Sequence, residues 1–137
     1  MTVTQSIDRK YDIIVWGASG FTGRIVVDYL HKEYGSGNLS WAVAGRNPAK
    51  LKSVVGQRDI PILTADSHDS ESLNQLVQQT KVILTTVGPY ARYGSELVAA
   101  CARHGTHYCD LTGESLWMRE MITAHQHTAR DSGARIV

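Results

Sequence analysis

The amino-acid sequence predicts an α/β fold, a doubly wound parallel sheet with helices on both faces in three layers. Three observations carry this. Apolar runs of strand length at residues 11–16, 40–44, 60–65 and 82–87 alternate with longer segments of helical periodicity, which is the rhythm of βαβ units. Those runs are near-continuously apolar instead of alternating, as expected where helices bury both faces of a sheet. The chain has 137 residues, 42% hydrophobic and 20% charged, the size and composition of one globular domain.

Taken in order, the strand at 11–16 leads into a helix over 20–34. That helix is expected to bury Phe21, Ile25, Val26, Tyr29 and Leu30 along one stripe and to stop at Gly35 or Gly37. After the strand at 40–44, Asn47 and Pro48 supply a cap and a first-turn proline for a second helix over 48–55. The strand at 60–65 precedes a third helix that Ser70 caps and that runs to Gln79. The strand at 82–87 ends in a proline loop, and a fourth helix over 95–104 stops at Gly105. A short strand at 107–110, a fifth helix over 115–132 closed by Gly133, and a strand at 134–137 follow. Trp16, Trp41 and Trp117 are expected to fill core between sheet and helices. With a strand running to Val137, the natural protein is expected to continue beyond it.

Charge is nearly balanced, 14 Lys+Arg against 13 Asp+Glu for a net +1. No basic block advertises a nucleic-acid or anionic-membrane surface. Residues 1–12 lack the charged leader and apolar run of a signal peptide, and no apolar stretch approaches the length of a membrane span, so a cytoplasmic location is expected. Cys101 and Cys109 do not form a C-x-x-C pair and read as buried, reduced thiols.

The chemistry concentrates where the first strand meets the first helix. Gly17-Ala18-Ser19-Gly20-Phe21-Thr22-Gly23 has the spacing G-x-x-G-x-x-G, and its position between strand and helix turns a weak glycine pattern into a specific one. Gly17 permits the tight turn, Gly20 lets backbone approach a pyrophosphate, and Gly23 lets the helix pack closely on the sheet. Amides around Gly20, Phe21 and Thr22 point at phosphate oxygens with the helix dipole behind them, and Ser19 and Thr22 add hydroxyls. No Lys-Ser/Thr follows the glycines, which disfavours a Walker-type nucleotide loop.

The end of the second strand discriminates between dinucleotides. An NAD-selective site carries Asp or Glu there to accept from the ribose 2′-hydroxyl, whereas this chain has Gly45-Arg46-Asn47. A guanidinium can fork onto a 2′-phosphate. NADP is therefore the expected cofactor, with NAD as the alternative, and Arg46, Asn47 and Lys50 are the candidates on that side. Asp66, ending the third strand, is placed either to meet the adenine edge or simply to cap a turn. Thr86, Val87, Gly88, Pro89 and Tyr90 lie at the carboxyl edge of the fourth strand, where ligands of open α/β sheets bind, and are expected beside ribose and nicotinamide.

Other constellations carry less. His125 and His127 sit two apart on a helix and face different ways, and His107 with Cys109 lacks further ligands for zinc. Asp110 and Glu114 follow a strand's carboxyl end, where a substrate-facing and a structural role are both open.

Residues 11–23 (YDIIVWGASGFTG), 44–46 (AGR), 85–90 (TTVGPY) and 107–114 (HYCDLTGE) together resemble the saccharopine dehydrogenase-like oxidoreductases, which include saccharopine reductases and trans-acting enoyl reductases. The resemblance spans nearly the whole chain. It implies an amino-terminal Rossmann-type NAD(P)-binding domain, with Gly17, Gly20, Gly23, Arg46 and Gly88 among its cofactor contacts. It also implies a following α/β substrate domain, so that the full protein transfers hydride to an imine or enoyl-type substrate while this part alone has little or no activity. Two other readings are a short-chain dehydrogenase relative, whose Tyr-x-x-x-Lys pair this chain does not contain, and a non-catalytic NADP sensor. Homo-oligomerisation is left open.

Overall fold

The computed structural model describes residues 8–137, so residues 1–7 of the segment read for a leader lie outside the described residues. The apolar runs form five parallel strands: β1 (Tyr11–Trp16), β2 (Trp41–Gly45), β3 (Ile62–Thr64), β4 (Thr80–Thr85) and β5 (His107–Cys109). Their order in the sheet is β3-β2-β1-β4-β5. Ile14 pairs with Ala42 on one side and Ile83 on the other, which puts β1 at the centre. Between them run α1 (Phe21–Tyr34), α2 (Pro48–Val55), α3 (Ser70–Val77), a single turn α4 (Tyr90–Tyr93), α5 (Ser95–His104) and α6 (Ser115–Ser132).

The near-continuous apolar strands are explained by two cores. Successive strand side chains point to opposite faces. Ile14 and Trp16 of β1, Ala42 and Ala44 of β2 and Ile83 of β4 meet Leu73, Leu76, Leu97, Val98 and Trp117 from α3, α5 and α6. Val15 and Val43 point the other way, onto Val27 and Leu30 of α1 and Leu51 and Val54 of α2. Each fully buried aliphatic chain stabilises the fold by about 1.5–3 kcal/mol relative to leaving it in water. The three tryptophans are all buried, as expected.

Several elements depart from the sequence reading. On α1 the buried residues are Gly23, Val27 and Leu30, with Val26 packed partly against that core. Phe21 is 84% exposed, and Ile25 and Tyr29 also face solvent. The phase is set at Gly23: a Cβ there would lie 2.8 Å from the Ala18 Cα and run into the Gly17 carbonyl, so this is where the helix touches the turn. Residues one and two turns on, at 27 and 30, then face the sheet. The cap of α3 is Asp69 instead of Ser70, its carboxylate accepting from the Glu71 and Ser72 amides. Strand β4 begins and ends two residues early, leaving Val87 in a loop, and β3 keeps only three residues. Residues 134–137 make one bridge, Tyr108 with Ile136, instead of a full strand. Cys101 is buried and free, whereas Cys109 is only partly covered.

Arg9 ties the lower edge together. Its guanidinium donates to the carbonyls of Val77 (2.7 Å), Thr80 (3.1 Å) and His104 (2.5 Å) and to the Thr106 hydroxyl (2.7 Å). The last residues of α3 and α5 thereby gain donors for carbonyls a helix end leaves free. Among the described residues no helix is long and apolar enough to cross a membrane.

Candidate functional site

At the carboxyl edge of the sheet, the turn between β1 and α1 opens a cleft of about 400 Å³. Gly17 takes φ +76°, in the left-handed region, and the space of its missing side chain is filled by Val87. Its amide donates to the Ala44 carbonyl (2.9 Å), and the Gly20 amide donates to the Gly17 carbonyl (3.1 Å), which folds the turn back on itself. Gly20 caps α1 with extended backbone and no side-chain hydrogen bond. The first turn of α1 therefore carries no side-chain cap, and its residues Phe21 and Thr22 line the cleft, an arrangement suited to an anion.

The wall of this cleft brings together Gly17, Ser19, Gly20, Phe21, Thr22 and Gly23 from the turn, Arg46 from the end of β2, and Val87 and Gly88 from beyond β4. It also includes Trp16, Gly45, Ser67, Thr86 and Tyr93. Among the described residues Arg46 is the one charged residue on the wall, and no carboxylate shares it.

Five candidates lie off the wall. Asn47 turns its side chain to the Lys50 amide (3.2 Å) and caps α2, and Lys50 is exposed on that helix. Asp66 accepts from the His68 amide (2.8 Å) in a turn leading to α3. Pro89 caps α4. Tyr90 is buried, its ring stacked on Trp117 (centroids 5.6 Å apart) and its hydroxyl donating to the Thr85 carbonyl (3.4 Å). Burial pushes the Tyr90 phenol up, away from ionisation.

Ser67 was not named from the sequence, although its place beside Asp66 near a strand end could have flagged it. Tyr93 had no such signal, because the single turn α4 carries no helical periodicity to announce it.

Asp110 and Glu114 have partners within the chain. Asp110 accepts from the Tyr108 hydroxyl (2.7 Å) and the Thr112 amide (3.0 Å). Glu114 accepts from the amides of Tyr90 (2.6 Å) and Ala91 (3.1 Å). The His107 Nδ1 accepts from the Arg135 amide (3.0 Å), and among the described residues no cluster of three metal-ligating side chains occurs.

A second cavity of about 410 Å³ lies under α6 at the β5 side of the sheet, with Tyr108, Trp117, Met121, Ile122, Ala129 and Ile136 among its apolar walls. It shares no wall residue with the first.

Comparison with known proteins bears on the glycine-turn cleft. Residues 13–137 match the model of the saccharopine dehydrogenase NADP binding domain. The trans-acting enoyl reductase of Mycobacterium ulcerans is 42% identical over 137 residues, covering 96% of this chain and 32% of that protein. The trans-acting enoyl reductase of Mycobacterium leprae is 40% identical over 134 residues, with 94% and 32% covered. The chain thus spans about a third of the length of these relatives. In fold it is similar to saccharopine dehydrogenase (L-Glu forming) of Saccharomyces cerevisiae, with TM-score 0.69, 19% identity and 92% of this chain and 26% of that one covered. It is likewise similar to the Citrobacter sp. triphenylmethane reductase complexed with NADP(H), with TM-score 0.68, 18% identity and coverage of 92% and 47%.

Proposed function

This chain belongs to the family of the saccharopine dehydrogenase NADP binding domain, and from that premise we propose that its cleft holds NADP(H) for hydride transfer carried out by a longer protein. In this reading the amides of Phe21 and Thr22 meet the pyrophosphate, Arg46 takes the 2′-phosphate, and residues 86–88 flank the ribose and nicotinamide. Gly17, Ser19, Gly20 and Gly23 shape the turn, Asn47 and Lys50 support the Arg46 side, and Asp66 orients the adenine side through Ser67. Pro89 and Tyr90 fix the far end of the nicotinamide loop.

The observation that carries this is the composition of the wall: an uncapped helix N-terminus and, among the described residues, one guanidinium and no carboxylate. Arg46 cannot accept a hydrogen bond from a ribose 2′-hydroxyl, whereas it can donate two to a 2′-phosphate. When bound, the nicotinamide would supply the hydride. The residues of this chain bind and orient it, and groups outside the chain position the substrate, an imine or enoyl compound in this reading, of which the names of the enoyl reductase relatives support the enoyl class.

Direct titration of NADPH and NADH against wild type and Arg46→Asp tests the assignment. Losing charge-assisted bonds to a phosphate and adding repulsion should weaken NADPH by about tenfold to a few hundredfold. NADH should change much less. Equal losses for both cofactors would refute a role for Arg46 at the phosphate.

A further inference from the structure

We infer that Glu114 is a positioning residue for the nicotinamide half of the cofactor, acting through the loop at residues 86–89. This rests on the reading of the cleft as an NADP(H) site. The loop bridges two anchors. At its start, Thr85 is buried at the end of β4 and its hydroxyl accepts from the Val87 amide (3.2 Å). At its end is Tyr90, the first residue of α4. Thr86, Val87 and Gly88, which lie between, line the cleft, and Val87 also occupies the space beside Gly17 in the glycine turn. The path of those three residues depends on where Tyr90 is held.

Helix α4 has four residues, and so short a turn cannot hold itself. Pro89, at its cap, offers no side-chain acceptor. The acceptors come instead from a segment more than twenty residues further along the chain. Both oxygens of Glu114 are committed, Oε2 to the Tyr90 amide at 2.6 Å and Oε1 to the Ala91 amide at 3.1 Å. Such carboxylate-to-amide bonds are about twice as strong as neutral ones. Thr112 braces the carboxylate: its hydroxyl accepts from the Glu114 amide (3.0 Å) and lies 3.5 Å from Oε2. The Tyr90 ring is stacked on Trp117, whose indole N–H donates to the Ser95 hydroxyl (2.9 Å). Glu114 thus fixes the main chain at the end of the loop while Trp117 fixes the side chain. Glu114 does not itself line the cleft, so its effect on a ligand passes through the loop.

The separating measurement uses two ligands that share the adenosine, 2′-phosphate and pyrophosphate: NADPH, and 2′-phospho-ADP-ribose, which lacks nicotinamide. Each is titrated against wild type, Glu114→Ala and Glu114→Gln, with thermal melts to establish that the variants are folded. Glu114→Ala should lose about tenfold in NADPH affinity and stay within about twofold for the truncated ligand. Glu114→Gln keeps one acceptor oxygen and should lose about threefold, again for NADPH alone. If the alanine variant does not fold, the glutamine variant decides by the same ratio. Equal losses for both ligands, or unchanged NADPH affinity in a folded variant, would overturn the role of Glu114. A wild-type chain that binds neither ligand would overturn the cofactor reading and this inference with it.

Discussion

Gly17, Gly20 and Gly23 recur at equal spacing, but the surroundings of Gly20 and Gly23 predict opposite consequences for substitution. At Gly23 a Cβ would sit 2.8 Å from the Ala18 Cα and closer still to the Gly17 carbonyl, and neither neighbour is a flexible side chain. Gly23→Ala must therefore lift α1 from the turn. Overpacking of this kind costs about 1–3 kcal/mol, which for a domain of this size lowers the melting temperature by about 3–12 °C. At Gly20 the backbone is ordinary extended (φ −74°, ψ 170°) and a Cβ would meet only the Gly17 carbonyl at 3.5 Å, a normal contact. Gly20→Val should therefore fold, at a cost of about 1 kcal/mol, since valine is a poorer N-cap than glycine. Its side chain would stand where backbone approaches the pyrophosphate, and NADPH affinity should fall by at least about tenfold. Circular-dichroism melts and NADPH fluorescence titrations on both variants are the assay. An unchanged melt for Gly23→Ala would refute the packing argument, and wild-type affinity in a folded Gly20→Val would refute the ligand argument.

Two further predictions concern stability. Arg9→Met removes the donor shared by the Val77, Thr80 and His104 carbonyls and the Thr106 hydroxyl, and should cost about 2–4 kcal/mol in urea unfolding; a loss below about 0.5 kcal/mol would contradict the clamp. The His104 and His125 imidazoles are both held below their ordinary pKa, first by burial and then by Arg103. Arg9 adds to this at His104, and Glu96 partly offsets it at His125. The unfolded chain then binds more protons than the folded one once pH falls to about 6.5 and below, so stability should decline on acidification through that window. His104→Gln, which can keep the contact with the Asn74 side chain (3.2 Å in wild type), should flatten the decline measured between pH 7.5 and 5.5, and an unaltered slope would exclude His104 as a source.

The sheet and its two-sided burial were legible because parallel strands covered on both faces need apolar residues at every position, as Ile14, Val15 and Trp16 show by entering alternate cores. The placing of the glycine turn and Arg46 on one cleft was legible for a related reason: both sit at fixed offsets from a strand end. The facing of α1 was not. Phe21, Ile25 and Tyr29 form as good an apolar stripe as Val27 and Leu30, and the choice between them is made at Gly23, a residue without a side chain to register in any hydrophobic pattern. Asp69 and Ser70 are both sound caps, and only the geometry of the preceding turn selects Asp69. Glu114 stayed ambiguous because its partners, the amides of Tyr90 and Ala91, are backbone groups distant in sequence and leave no trace in residue identity.

In the proposed function the glycine-turn cleft, and not the cavity beneath α6, takes the dinucleotide. Amide chemical-shift mapping by NMR during an NADPH titration tests it most directly. Perturbations are expected to concentrate at residues 17–23, at Arg46 and Ser67 and at residues 86–88, with those of Phe21 and Thr22 among the largest. Perturbations gathered instead at Tyr108, Met121, Ile122 and Ala129, with residues 17–23 unmoved at saturating NADPH, would contradict the proposal.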